Sequence, residues 1–131
     1  MKNKEFLAKV VDDLKKEGIR TSIFLDPDPE LVKHAHETGT DRIELYTEKY
    51  AAAYTTDRDA AICDYIRTAE QAMKHGLGIN AGHDLNLDNL GFFAGQVPGL
   101  LEVSIGHALI SDALYYGIEN TIQMYRRCLI Q

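Results

Sequence analysis

Apolar residues recur at every third or fourth position over residues 4–17, where Phe6, Leu7, Val10, Val11 and Leu14 are interleaved with lysines and acids. That spacing predicts an amphipathic helix, and Gly18 stops it. The run Arg20-Thr21-Ser22-Ile23-Phe24-Leu25 then reads as a buried strand ending at Asp26-Pro27-Asp28-Pro29. Asp28 can cap a helix whose first position is Pro29. This helix carries Leu31, Val32 and Ala35 and stops at Gly39. Asp41 to Tyr46 is a second strand, followed by a Tyr- and Ala-rich stretch from Tyr50 to Tyr54 that reads as a loop.

Thr56 and Asp59 resemble a capping box with Asp in place of Glu or Gln. They open a long helix bearing Ala61, Ile62, Tyr65, Ile66, Ala69, Ala72 and Met73, which stops at Gly76. Leu77 to Asn80 is the third strand. A short helix over residues 87–94 and the turn Val97-Pro98-Gly99 lead to the fourth strand, Leu101 to Ile105. A helical piece near residues 109–115 follows. The last helix starts at about Ile118, with Ile118, Ile122, Tyr125 and Leu129 on one face.

Helices and strands therefore alternate from end to end, which implies an α/β fold with a parallel sheet and right-handed crossovers. Nothing along the chain marks a linker, so residues 1–131 are expected to form a single domain. Four βα units fit either a small open sheet or half of a (β/α)8 TIM barrel. Glu44 between Ile43 and Leu45, and Ser104 between Val103 and Ile105, favour the half-barrel, because inward polar residues near strand ends suit a barrel mouth. Such a half leaves an apolar edge and an open inner face.

Composition narrows the partners. The 131 residues are 45% hydrophobic and 26% charged, as in globular proteins at large. A net charge of -6 argues against nucleic-acid binding but not against small anions, which backbone N–H groups can hold. No apolar run is long enough for a membrane span, and Met1-Lys2-Asn3-Lys4-Glu5 has no signal-peptide character, so the cytoplasm is expected. Cys63 and Cys128 fit neither a CxxC pair nor a zinc spacing and read as reduced thiols.

Chemistry concentrates in two echoing stretches, Gly78-Ile79-Asn80-Ala81-Gly82-His83-Asp84 and Glu102-Val103-Ser104-Ile105-Gly106-His107-Ala108. Each runs from an apolar strand through glycine to histidine, which suggests one site at the same end of two neighbouring strands. His83 there either reaches a ligand and moves a proton, or caps a turn. Gly106 and His107 open a helix whose N–H groups attract phosphate; His107 itself either binds or packs. Glu44, set among apolar neighbours, is functional or else paired with Arg42 or Lys49. His34 and His36 diverge on their helix, and His75 suits a helix end, so no metal is implied. Tyr46, Tyr50 and Tyr54 either cover the site or, preferably, pack. Tyr115, Tyr116 and Tyr125 serve an oligomer contact or the core.

Arg42-Ile43-Glu44-Leu45-Tyr46-Thr47, Gly78-Ile79-Asn80-Ala81-Gly82-His83-Asp84-Leu85 and Ser104-Ile105-Gly106-His107-Ala108-Leu109-Ile110 resemble three blocks of the pyridoxine 5'-phosphate synthase family, and Thr21-Ser22-Ile23-Phe24-Leu25-Asp26 a fourth. The resemblance spans essentially the whole chain. It implies the C-terminal half of a TIM barrel that assembles into homo-oligomers. The reaction it implies condenses 3-amino-2-oxopropyl phosphate with 1-deoxy-D-xylulose 5-phosphate, giving pyridoxine 5'-phosphate, phosphate and water, without cofactor or metal.

By the same resemblance His83 is the proton donor, Glu44 stabilises the transition state, and Asp84, Gly106 and His107 contact the aminoketone phosphate. Some members have glycine at the place of Asp84, where an aspartate must turn away from a phosphate. Some have His-Thr-Gly in place of Tyr46-Thr47-Glu48, which implies a reshaped loop. The match begins at the family's fourth helix, and the family's other half carries two further general bases. This chain alone is therefore expected not to make pyridoxine 5'-phosphate. Two other readings compete: a non-catalytic phosphate-binding half-barrel or assembly module, and a sugar-phosphate aldolase or isomerase. The latter is disfavoured because no strand end offers a lysine in an apolar setting.

Overall fold

A computed structural model describes residues 3–130 of the chain; Met1 and Lys2 of the expected N-terminal run lie outside them. Helix α1 (Lys4–Lys16) leads into strand β1 (Ser22–Leu25), then α2 (Pro29–His36), β2 (Arg42–Tyr46), α3 (Glu48–Lys74), β3 (Gly78–Gly82), α4 (Leu90–Gln96), β4 (Leu100–Ser104), α5 (His107–Tyr116) and α6 (Ile118–Cys128). The four strands form one parallel sheet in the order β1-β2-β3-β4. This is the alternation expected, and it is consistent with half of a (β/α)8 barrel.

Local chemistry accounts for most boundaries. Asp28 caps α2 by accepting the Glu30 N–H at 3.0 Å, and Pro29 fills the first turn where no N–H is needed. The stretch Tyr50–Tyr54 is not a loop. It belongs to the first part of α3, where three consecutive alanines favour helix and Tyr50 is buried. The helix kinks at Asp57, whose φ of -156° and ψ of 86° are not helical. Asp57, not Thr56, caps the second part, its carboxylate accepting the Ala60 N–H at 3.0 Å. An aspartate one residue further on satisfies the same free donors.

Side chains alternate across the sheet. Ile43, Leu45, Ile79 and Ala81 point to the helices and are fully buried with Val32, Ala69, Ala72 and Leu90. Tyr50, Tyr65 and Phe93 complete this core as an edge-to-face cluster with centroids 5.0 to 5.9 Å apart. Burial pushes the Tyr65 hydroxyl up to about 12, and it donates to the Tyr46 carbonyl at 2.9 Å. On α6 only Tyr125 of the predicted apolar face is buried, its hydroxyl held by Asp112 of α5 at 2.7 Å; Ile118, Ile122 and Leu129 are exposed.

The opposite, inner face carries Phe24, Arg42, Glu44, Tyr46, Asn80, Glu102 and Ser104. Register puts Phe24, Glu44, Asn80 and Glu102 in one row and Tyr46, Gly82 and Ser104 in the next. Across it Arg42 donates to Asn80 at 3.0 Å and pairs with Glu102 at 3.1 Å, while Arg20 grips Glu102 at 3.0 and 2.9 Å. The Arg20 and Arg42 guanidiniums hold the Glu102 carboxyl below its usual range.

At the other end of β2, Asp41 ties three elements together. It pairs with Lys15 of α1 at 2.8 Å and accepts the N–H and hydroxyl of Thr21 at 2.8 and 3.0 Å. These donors, Lys15 first, bring its carboxyl down to about 2. A folded value below the unfolded one stabilises the fold above about pH 4, and that gain is lost as pH falls toward 2. A third of the side chain meets solvent, so the contribution is about 1 kcal/mol. Asp41→Asn is expected to lower Tm by roughly 3–5 °C at pH 7, with the gap closing near pH 2, as calorimetry across pH will check.

Candidate functional site

The C-terminal ends of β2, β3 and β4 converge on a pocket of about 430 Å³ lined by Glu44, His83, Asp84, Ser104, Ile105, Gly106 and His107. All five residues singled out in the sequence are in it. They come from three strand ends and the start of α5, so the parallel sheet is what assembles them. A wider hollow of about 830 Å³ at the α5–α6 joint has a single carboxylate, Glu119, and no histidine or lysine in its lining.

His83 and Asp84 follow β3 with φ of 85° and 56°, the left-handed region that costs non-glycine residues energy. The turn lifts the His83 imidazole onto the inner face, where it meets the ring edges of Phe24 at 5.1 Å and Tyr46 at 4.9 Å. Phe24 and Tyr46 are themselves 5.2 Å apart, so three rings form one cluster at the ends of β1, β2 and β3. Tyr46 donates to Glu48 at 2.5 Å, and that carboxylate raises its phenol above the ordinary tyrosine value.

Glu44 is half-buried, and neither expected structural partner takes it. Arg42 is engaged by Asn80 and Glu102, and among the described residues no hydrogen bond or ion pair joins Glu44 to Lys49 or to any other side chain. Space for its carboxylate comes from Gly82. A Cβ there would lie 2.7 Å from Glu44 Oε1 and 3.1 Å from both Cβ and the carbonyl oxygen of Ser104.

Asp84 turns toward His107, its Oδ1 lying 3.2 Å from Nε2. The carboxylate is thus directed to a cation-capable partner rather than left facing a phosphate. Gly106 is the N-cap of α5 and no side chain caps that end. The first-turn N–H groups stay available to an anion, and the helix dipole favours one. The pocket therefore combines an exposed imidazole, a carboxylate without a partner and an uncapped helix start. That set can move a proton beside a positively charged centre while an anionic group is held nearby.

The remaining candidates lie elsewhere. Tyr50 and Tyr54 pack against Phe93 and Phe92. Tyr115 and Tyr116 are exposed. His36 and His75 come together from α2 and α3 with centroids 5.0 Å apart, and His34 faces Glu37. Among the described residues no three His, Cys, Asp or Glu side chains group as metal ligands, and both cysteines are free. No helix of the described residues is long and apolar enough to cross a membrane. Sequence reading passed over Phe24 as a neighbour of His83; its alternation with Ser22 on a strand ending beside the site was the available signal.

The chain is similar to known proteins over nearly all of its own length. The family model described as "Pyridoxal phosphate biosynthesis protein PdxJ" matches residues 1–131. Curated relatives named "Pyridoxine 5'-phosphate synthase" include one from Flavobacterium johnsoniae, 55% identical over 98% of this chain and 54% of its own length. One from Bacteroides thetaiotaomicron is 54% identical over 97% and 54%, and one from Porphyromonas gingivalis is 58% identical over 95% and 52%. The chain spans about half the length of the curated relatives it matches.

Proposed function

Since the chain belongs to the pyridoxal phosphate biosynthesis protein PdxJ family, we propose that its pocket is the aminoketone-phosphate side of a pyridoxine 5'-phosphate synthase site. The observation that carries this reading is the gathering of Glu44, His83, Asp84, Gly106 and His107 around one pocket. The reaction joins 3-amino-2-oxopropyl phosphate to 1-deoxy-D-xylulose 5-phosphate and releases phosphate and water. Residues 1–131 act as one domain, the C-terminal half of the barrel, in the cytoplasm and within a homo-oligomer. Exposed Leu114, Tyr115 and Ile118 on α5 and α6 support the last point.

In this reading the substrate phosphate sits at the start of α5, on the N–H groups beyond Gly106, with His107 beside it. Asp84, paired with His107, takes the amino end of the substrate or withdraws with that imidazole. Anchoring the phosphate fixes the amine, so part of the barrier is met by orientation. His83 supplies the proton that leaves with water or phosphate as the ring closes. Glu44, a carboxylate with no cation of its own, stabilises the iminium charge that develops between them.

The test mixes both substrates with the purified chain, alone and with the remaining strands of a full-length relative's barrel, and follows pyridoxine 5'-phosphate by chromatography. Product from the mixture but not from the chain alone is expected. Product from the chain alone would overturn the division of roles between the halves. If the mixture is inactive and the chain still binds dihydroxyacetone phosphate at Gly106 and His107, the non-catalytic phosphate-binding module replaces the enzyme.

A further inference from the structure

We infer that Thr47, with Asn89 behind it, is a positioning residue that holds His83 and Asp84 in the left-handed backbone on which the pocket depends. The inference rests on the reading of His83 as the proton donor, and it concerns what keeps that imidazole in place. Two successive non-glycine residues at positive φ do not hold that geometry by themselves; the surroundings must impose it.

Three carbonyls in a row run through this turn, and each is taken by a buried side chain. Thr47 is 0% exposed. Its N–H donates to the Gly82 carbonyl at 3.0 Å and its hydroxyl to the same oxygen at 2.7 Å. The hydroxyl also lies against the His83 carbonyl, so its one proton is shared between two acceptors. Asn89, 2% exposed, donates from its amide to the Asp84 carbonyl at 3.1 Å. Its own amide oxygen accepts the Asn86 N–H at 2.9 Å, and its carbonyl accepts the Tyr50 hydroxyl at 2.6 Å.

The two clamps are rooted in α3. Thr47 opens that helix by accepting the Ala51 N–H at 2.9 Å, and Tyr50 lies one turn further on. The position of His83 is thus set from the end of β2 and the start of α3 rather than from β3 alone. Valine at position 47 keeps the shape and removes the hydroxyl, leaving the His83 carbonyl without this donor. Serine keeps the donor and removes only a methyl group.

The experiment records backbone couplings and side-chain resonances of His83 and Asp84 by NMR in the wild-type chain, Thr47→Val and Thr47→Ser. It then titrates each with dihydroxyacetone phosphate. The Thr47 hydroxyl proton of the wild type is expected to exchange slowly and to show contacts to His83. Thr47→Val is expected to shift the His83 and Asp84 couplings out of the left-handed range and to weaken binding about tenfold. Thr47→Ser is expected to keep the couplings and to bind within about twofold.

Unchanged couplings in Thr47→Val overturn the inference. So do equal losses in the two variants, which would make the methyl group responsible. Should Thr47→Val fail to fold, the wild-type hydroxyl proton and Thr47→Ser decide, and a fast-exchanging hydroxyl overturns it. Couplings that respond as expected in a chain that does not bind dihydroxyacetone phosphate uphold the positioning role and count against the proposed substrate instead.

Discussion

Asparagine in place of His83 is expected to cut turnover by roughly 10²–10⁴-fold in the assembled barrel, with the chain's Tm almost unchanged. Asparagine is the informative replacement because it tolerates the left-handed backbone that position 83 adopts, with φ at 85°. It therefore removes the proposed proton donor without adding strain. The imidazole is exposed and makes only ring-edge contacts with Phe24 and Tyr46, so little packing is lost. Steady-state kinetics should show the loss in kcat, with KM for the aminoketone phosphate nearly constant, because the proposed phosphate site lies at the start of α5, away from the imidazole. A variant retaining half the wild-type kcat would remove His83 from the mechanism and leave Glu44 as the candidate for the proton step.

The largest structural effect is expected at Gly82. Alanine there puts a Cβ 2.7 Å from Glu44 Oε1 and 3.1 Å from Ser104, one of the latter contacts being to backbone. The glutamate end can swing away, but the β4 backbone is held in the sheet by its pairing with β3. Overpacking of this kind costs about 1–3 kcal/mol. For a chain of this size that corresponds to a Tm lowered by roughly 4–12 °C. The displaced Glu44 carboxylate would also leave the pocket, so activity should fall further than stability explains. Gly106→Ala is the control, since a Cβ there meets nothing within 4 Å and should leave Tm within about 1 °C. Thermal unfolding of both variants decides the matter; equal, small shifts would show that the sheet accommodates a side chain at Gly82.

Much of the fold was legible because its signals are local. Helical spacing in α1, the apolar runs of β1 to β4 and the Asp28-Pro29 start of α2 depend on residues within one or two turns of one another. The glycines that end α1 and α3, Gly18 and Gly76, take positive φ of 72° and 71°, as a helix stop requires. The start of α3 was missed because tyrosines flanking alanines suggested a loop. The alanines are strong helix formers, and Tyr50 and Tyr65 gain burial by packing on Phe93. The last helix went the other way, with a clear apolar face that the described residues leave largely uncovered.

The candidate site divides in the same manner. Strand–glycine–histidine endings marked His83 and His107 from sequence, since parallel strands bring like ends together. Which groups would meet there depended on contacts between residues far apart in the chain. Only the tertiary structure turned Asp84 to His107, gave Arg42 to Asn80 and Glu102 rather than to Glu44, and placed Thr47 under the His83 carbonyl. Strand register, the irregularity between β3 and β4 at Ile79 and Asn80, and the direction of each side chain set those partners. None of them leaves a periodic trace in sequence, because each is fixed by packing across the sheet. The order of elements and the chemistry-bearing residue types were thus determined locally, and the partnership of each site residue by three-dimensional packing.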